Sequence, residues 1–298
     1  MGRLTSGHRA GVTSTQTPAG TTTPEVRWRE STVPRGDVDL AVFEAGDPDA
    51  PSVVMVHGWP DTHRVWLPVA EHLASVLHVV VYDTRGQGAS RTDAPDQAFA
   101  LPHLAADLLA VIDEVCPSRP VHLVGHDWGS VQAWEAVCEP GAERRIASFT
   151  SMSGPNLDHV AAWLRDSLRR PSPARLAGVV AQAASSAYVP FLLSPLAPPV
   201  LGALGDRDMV SGLRYYRGNA LRVARPPRER RARVPVLQLA LARDPAIRLA
   251  ALEASDAWCD HLERRRLPLG HSAPVAAPDV VAAEVLGFIE SVEGTRGR

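Results

Sequence analysis

Residues 123–130 read LVGHDWGS, and the fold turns on how this stretch is read. A short apolar run ends at His126 and polar helix-forming residues follow, so the segment reads as strand, sharp turn, helix. Gly125 and Gly129 stand two residues to either side of Asp127. Small residues are needed there because the turn is tight and the backbone at its apex is strained. The following SVQAWEAVCEPG (130–141) reads as a helix stopped by Pro140-Gly141. Its N-terminus faces the Asp127 carboxylate and favours the ionised form. Such an apex more often carries a serine nucleophile, so the question is what a carboxylate does in its place.

Working outward, near-continuous apolar runs recur at SVVMVHG (52–58), LHVVVYDTRG (77–86), PVHLVGH (120–126), RIASFTSMSG (145–154) and VPVLQLALARD (234–244). Uninterrupted runs, rather than alternating ones, suit parallel strands covered on both faces. VDLAVFEAG (38–46) alternates and is expected to pair antiparallel with EVRWRES (25–31) at one edge. Between the runs lie helical periods. Leu101, Leu104, Leu108, Val111 and Val115 recur at three- and four-residue spacing, and DVVAAEVLGFIESV (279–292) repeats the pattern as the last helix. The fold class is therefore α/β, with a mostly parallel, doubly wound sheet. Residues 157–231, rich in Ala, Leu, Arg and Pro, interrupt the alternation and read as a helical cap over the C-terminal edge of the sheet. The core is then 26–156 and 232–298. Residues 1–25, rich in Thr, Gly, Ser and Pro, are expected to be a disordered tail without the apolar segment of a signal peptide.

The 298 residues carry 31 Lys+Arg against 33 Asp+Glu, a formal charge of −2, which gives no footprint for nucleic acid or a polyanionic substrate. Cys116, Cys138 and Cys259 form no CxxC pair and suit reduced thiols in a cytoplasmic protein. The longest apolar stretch, 188–205, holds four prolines in its first twelve residues and argues against a membrane span.

Other motifs sit at the ends of the same strands. MVHGWPD (55–61) closes one of them, and the backbone N–H of Trp59 together with that of Trp128 makes a plausible oxyanion hole. The Trp59-Pro60 bond, in a tight turn, is a place where a cis peptide is permitted. LALARDPAI (239–247) puts Asp244 directly after a strand, and LPLGHSAP (267–274) puts His271 on a loop before the last helix. The chain order Asp127, Asp244, His271 is nucleophile, acid, base. Asp256 and Asp260 follow no predicted strand and are the weaker acids. YDTRGQGAS (82–90) suits a tight loop in which Arg85 ties neighbouring segments together.

The set HGWP, DxRGxGxS, GHDWG, the strand-end Asp-Pro and the Gly-His-Ser before the last helix resembles the α/β-hydrolase fold, and within it the epoxide hydrolases, over about residues 35–292. Parts of the chain also look like the hydrolase portion of proteins that fuse an epoxide hydrolase to a short-chain dehydrogenase, although no GxGxxG follows a strand in these residues. The resemblance implies about eight strands with the cap after the sixth. It also implies a nucleophile at Asp127, a general base at His271 oriented by Asp244, and no cofactor or metal. Tyr216, in GLRYYRG (212–218), and Tyr188, in YVPFLLSP (188–195), would donate to the epoxide oxygen. His57, Pro60, Trp163 and Phe191 are expected around the substrate pocket.

The chain departs from the family pattern at Ser272, at Arg214-Tyr215 and in the missing glycine before Asp244. These departures bear on pocket shape more than on chemistry. The expected partners are a small lipophilic epoxide and water, in a monomer or homodimer. The nearest rival is a haloalkane dehalogenase using the same Asp and His, with halide on the Trp128 indole. A rival of another class is a catalytically silent ligand-binding protein on the same fold.

Overall fold

The structure is a computed structural model that describes residues 26–205 and 207–296. The expected N-terminal tail, 1–25, lies outside the described residues. Eight strands form one sheet: β1 (Arg29–Arg35), β2 (Val38–Ala45), β3 (Ser52–Val56), β4 (His78–Tyr82), β5 (Val121–His126), β6 (Ile146–Met152), β7 (Val236–Leu241) and β8 (Leu262–Leu267). Their order is β1-β2-β4-β3-β5-β6-β7-β8. β1 and β2 pair antiparallel, β2 and β4 likewise, and every other pairing is parallel.

The helices of the core are α1 (Leu67–Leu73), α2 (Leu101–Val115) and α3 (Trp128–Val137). The cap contributes α4 (Leu157–Arg169), α5 (Pro173–Ser185), α6 (Val189–Leu193), α7 (Ala197–Gly202) and α8 (Arg207–Asn219). The core resumes with α9 (Leu249–Glu253), α10 (Ala273–Ala276) and α11 (Pro278–Arg296).

The apolar runs form central strands because both of their faces are covered. Along β3, Val54 and Val56 pack into the layer built with α2 and α3, while Val53 and Met55 pack into the opposite layer built with α1 and α11. β3, β4, β5 and β6 are buried at every position. Removing one such Val or Leu side chain from water is worth about 1.5–3 kcal/mol, so the period-two split holds the register tightly. A third cluster, containing Phe99, Trp128, Leu192, Leu213, Tyr215 and Tyr216, glues the cap to the core.

The eight strands match the expected number, two expectations need correction, and one strand has no counterpart in the sequence pattern. The edge partner of β2 is Arg29–Arg35, a few residues later than EVRWRES. The last strand, β8, has the sequence LERRRL and escapes an apolar pattern because it lies at the sheet edge with most of its side chains partly or fully in water. The cap is not helical to residue 231: α8 stops at Asn219, and residues 220–235 return to the core without a helix. Pro226-Pro227 could not continue one.

Arg85 ties loops together as expected. It is buried and holds Asp107 of α2 through two bonds of 2.7 and 3.0 Å, and Asp37 of the β1–β2 turn through two of 2.8 Å. This bidentate clamp fixes the loop after β4 against the sheet edge.

Candidate active site

Asp127 sits between β5 and α3 with φ 52° and ψ −126°. A non-glycine residue in this region costs on the order of 1–3 kcal/mol and persists only where its surroundings enforce it. The surroundings here are close: a Cβ on Gly129 would lie 2.1 Å from the carbonyl oxygen of Val56, and one on Gly125 would lie 2.6 Å from Cα of Ser130. Gly125 lets the first turn of α3 press against β5, and Gly129 lets it press against the end of β3.

The N–H of Trp59 donates to Oδ1 of Asp127 at 2.9 Å, and the Trp128 amide, next in the chain, adds a lowering effect on this carboxyl group. The two amides expected to form an oxyanion hole thus already act on the carboxyl group. The Trp59-Pro60 bond is cis. Oδ2 of Asp127 faces Nε2 of His271 at 3.8 Å. Nδ1 of His271 lies 3.0 Å from Oδ2 of Asp244. Asp244 is buried, accepts from Ser153 Oγ at 2.6 Å, and takes the amides of Ala246 and Ile247 on its other oxygen at 2.8 and 3.2 Å. Asp127 and Asp244, predicted from strand ends, and His271, predicted from the loop before the last helix, form one connected row.

Burial raises the Asp127 carboxyl to about 6, against the lowering effect of the His271 charge and the Trp128 and Trp59 amides. The N-terminus of α3 was expected to favour the ionised form, and it does, but desolvation outweighs it. His271 moves the other way. Burial would lower it, yet the hydrogen bond to Asp244 and the charges of Asp127, Asp244 and Asp61 raise it to about 9. Asp244 stays below the usual carboxylate range, because the bonds from His271 and Ser153 overcome the burial that would raise it.

Above the row lies a cavity of about 380 Å³ between the sheet edge and the cap. Asp127, Trp128 and Ser153 form its floor, and Leu157, Val160, Trp163, Val179, Val189 and Val223 give it apolar walls. Tyr188 and Tyr216 line it as well, their rings edge-on at 6.3 Å, with Tyr216 buried and Tyr188 at the exposed rim. The Tyr216 ring packs edge-on against Trp59 and Trp128 at 5.4 and 5.0 Å. Burial, then the charge of Asp127, raises both tyrosines, so both stay protonated donors near neutral pH. Two larger hollows, about 590 and 570 Å³, lie elsewhere on the surface, and neither is lined by a member of the Asp127–His271–Asp244 row.

Of the four expected pocket residues, only Trp163 is in the wall. His57 is fully buried: it lies 2.8 Å from the Gly58 carbonyl through Nδ1, and its Nε2 accepts the Thr84 amide at 2.9 Å. It braces the turn that carries Trp59, and burial lowers it to about 4 so that it stays neutral. Pro60 belongs to the same turn and lies outside the wall. Phe191 is exposed because α6 turns Val189 and Leu192, three residues apart, inward.

Sequence reasoning missed three groups. Ser153, itself at φ 54°, fixes Asp244. Nε2 of the buried His126 bonds the backbone carbonyl of His271 at 2.8 Å. Asp61, in the quoted HGWPD, is raised by burial and feels the His271 charge. A carboxylate two residues beyond the oxyanion amide was legible, whereas Ser153 and His126 carried no distinguishing signal. Among the described residues no three His, Cys, Asp or Glu side chains are grouped to hold a metal ion. No helix there is long and apolar enough to cross a membrane.

Comparisons with known proteins agree with this architecture. The family model described as alpha/beta hydrolase fold matches residues 51–278. Among curated proteins, the "Probable oxidoreductase EphD" of Mycobacterium tuberculosis is 35% identical over 287 residues, covering 86% of this chain and 48% of that protein. Epoxide hydrolase A of the same species is 37% identical over 129 residues, 43% of this chain and 39% of that protein. The chain spans about half the length, or less, of the curated relatives it matches.

Among solved structures, one of a group of novel epoxide hydrolases from metagenomes of hot environments superposes with a TM-score of 0.76 at 22% identity, covering 89% of this chain and 99% of that one. The epoxide hydrolase of Bacillus megaterium in complex with an inhibitor superposes at 0.69 and 18%, covering 87% and 100%. A bacterial membrane phospholipase A also superposes, at 0.64 and 21% over 89% and 87%. At such identities the likeness is one of fold, and function has to be argued from the site. With the sheet order, the elbow and the family match in agreement, the chain belongs to the α/β hydrolase fold family.

Proposed function

We propose that this protein is an epoxide hydrolase that opens an epoxide to a vicinal diol through an ester on Asp127. The observation that carries the reading is a carboxylate at the elbow, with two tyrosine hydroxyls beside it in the cavity and a His–Asp pair behind it. Oδ2 of Asp127 attacks an epoxide carbon from the back, and the C–O bond breaks. Tyr188 and Tyr216 donate to the leaving oxygen, which takes a proton and becomes a hydroxyl. Oδ1 becomes the ester carbonyl, already in contact with the Trp59 amide.

In the second step His271, oriented by Asp244, takes a proton from water as that water attacks the ester carbonyl carbon. The tetrahedral oxyanion is held by the Trp59 and Trp128 amides, each worth on the order of 3 kcal/mol in comparable sites. As the intermediate collapses, the ester C–O bond breaks and the departing alkoxide takes the proton held by His271. The diol leaves, and the proton left on the Asp127 carboxyl passes to the tyrosinate formed in the first step, restoring both. A carboxylate suits this route because it needs no base to become a nucleophile, whereas its ester needs one to be cleaved.

The dehalogenase reading has less support, because a halide needs free donors near the elbow. The Trp59 indole donates to the Met209 carbonyl at 3.0 Å, and the Trp128 indole is packed edge-on against the Tyr216 ring at 5.0 Å and stacked on Tyr215 at 5.8 Å. The silent-receptor reading leaves the Asp127–His271–Asp244 row without a purpose. The names of the relatives are consistent with an epoxide substrate, and the name oxidoreductase belongs to a protein about twice as long.

The deciding experiment is diol formation from styrene oxide with wild type and Asp127→Asn, with intact mass spectrometry of His271→Gln. Diol from wild type only, and an adduct equal in mass to the epoxide on His271→Gln, are expected. Halide release without diol formation, or diol without any adduct, refutes the scheme.

A further inference from the structure

Residues 215–233 carry seven arginines and one acid, and the mechanism uses none of them. The structure sorts them. Asp158 and Glu135 are buried acids at the base of the cap. Arg228 pairs with both at 2.9 and 2.6 Å, Arg222 pairs with Asp158, and Arg230 pairs with Glu135 and Glu139 at 3.3 and 2.9 Å. These three arginines balance three acids. Arg231 pairs with Asp260 at 2.8 Å. Among the described residues Arg217, Arg225 and Arg233 meet no carboxylate, and of these Arg217, which donates only to the Ser194 carbonyl at 3.0 Å, and Arg225 face a common groove.

The arginines converge on a groove of about 340 Å³ walled by Arg217, Arg222, Arg225 and Arg228 and by the start of α2. Nε of Arg217 and Nε of Arg222 are buried without an acceptor, a cost that an anion would relieve as the side chains turn toward it. Like charge is crowded here. Burial lowers the Arg222 guanidinium, and Arg228, Arg225 and Arg230 lower it further against the raising effect of the Glu135 charge.

The groove and the apolar cavity above Asp127 share Asn219 and Ala220 as a common wall. That wall is pinned, because the Asn219 side chain bonds the Phe99 and Tyr215 carbonyls, each at 2.9 Å, and the Leu101 amide at 3.0 Å. A ligand that passes beside the fixed Asn219, over the exposed Ala220, meets apolar walls on one side and guanidinium groups on the other. We propose that the arginine groove is a headgroup subsite for an amphipathic substrate whose apolar chain fills the cavity and whose anionic end, carboxylate or phosphate, sits between Arg217 and Arg225. The epoxide on that chain rests on the function proposed above, but the anion site does not.

The test separates the two. Binding is measured by calorimetry on full-length Asp127→Asn with dodecanoate, dodecyl phosphate and dodecan-1-ol, which carry no epoxide. An anion is expected to bind about 10-fold tighter than the alcohol, and the tighter of the two anions names the headgroup. The advantage shrinks with added salt and falls several-fold on Arg217→Gln and Arg225→Gln. Equal binding of anions and alcohol, or an advantage that survives both substitutions, overturns the subsite. Turnover of a long-chain epoxy acid against its methyl ester gives the second readout, a KM ratio of ester to acid that collapses toward 1 in the double variant. Anion preference without opening of either epoxide keeps the subsite and refutes the epoxide reading. Opening of both at one KM, with no anion preference, does the reverse.

Discussion

Replacing Asp127 with Asn should lower the pKa of His271, and the structure says by roughly how much. Nε2 of His271 is 3.8 Å from Oδ2 of Asp127. At that separation a unit charge pair is worth about 1 kcal/mol in water and about 4 kcal/mol at an effective dielectric of 20, which is about 1–3 pKa units. The imidazole stands at about 9 in the wild type, raised by Asp244, Asp127 and Asp61 in that order. Asn removes the Asp127 contribution and keeps the contact with Asp244, so the ring should titrate between about 6 and 8.

The change has a mechanistic consequence, because esterification also erases the charge on Asp127. His271 is a poor base while the carboxylate is free and becomes a competent one once the ester exists. The assay is a pH titration of ring nitrogens by 1H–15N spectroscopy, with the His271 signal assigned from the loss of one peak in His271→Gln. A shift under about 0.5 unit in Asp127→Asn, or a shift upward, would refute the coupling.

Four further outcomes are expected. In His271→Gln the cation that lowers Asp127 is gone, so ester formation, followed by stopped-flow, should show an apparent pKa above the value of about 6 in the wild type. Tyr216→Phe should slow ester formation by about 10²–10⁴ and leave ester cleavage much less affected, as read by single-turnover mass spectrometry. Gly212→Ala would put a Cβ 1.8 Å from Cδ1 of Trp59, whose amide contacts Asp127. A melting curve should show about 1–3 kcal/mol of lost stability, with slower ester cleavage. His57, His122 and His159 are each lowered to about 4 and His126 to about 3, all by burial. The unfolded chain binds their protons first, so stability should fall between about pH 6.5 and pH 4, by about 2 kcal/mol per histidine at pH 5, in denaturant titrations.

What could be read from the residues alone follows a physical line. The central strands were legible because burial on both faces leaves no freedom but apolar residues, as in SVVMV of β3. β8 was not, because a strand at the edge keeps its arginine and glutamate side chains partly or fully in water. Asp127 and Asp244 were legible because each follows an apolar strand, and His271 because it stands on a glycine-led loop before the last helix in the chain order nucleophile, acid, base; the topology of a parallel sheet brings the three together. Their supports were not: Ser153 and His126 act through one hydrogen bond each, and a serine or histidine at a strand end looks the same whether or not it makes one. His57 and Phe191 were misplaced for a related reason. Adjacency to a motif says nothing about which way a side chain turns, and that is decided by what lies beneath, Thr84 for the one and the inward pair Val189 and Leu192 for the other.

The protonation state of the elbow carboxylate was the hardest quantity to read, because two opposing effects meet there. The sequence showed the N-terminus of a helix, which favours charge. It could not show how little water reaches the side chain, which is 15% exposed. The balance, at about 6, leaves Asp127 mostly ionised at neutral pH yet stabilised by two amides and one imidazolium in place of a full hydration shell. A nucleophile so placed has less solvation to shed when it attacks, and its charge is given up at the step that frees His271 to act. A serine at this turn would need the base first. With aspartate the base is needed second, and the distance from Asp127 to His271 delays it until then.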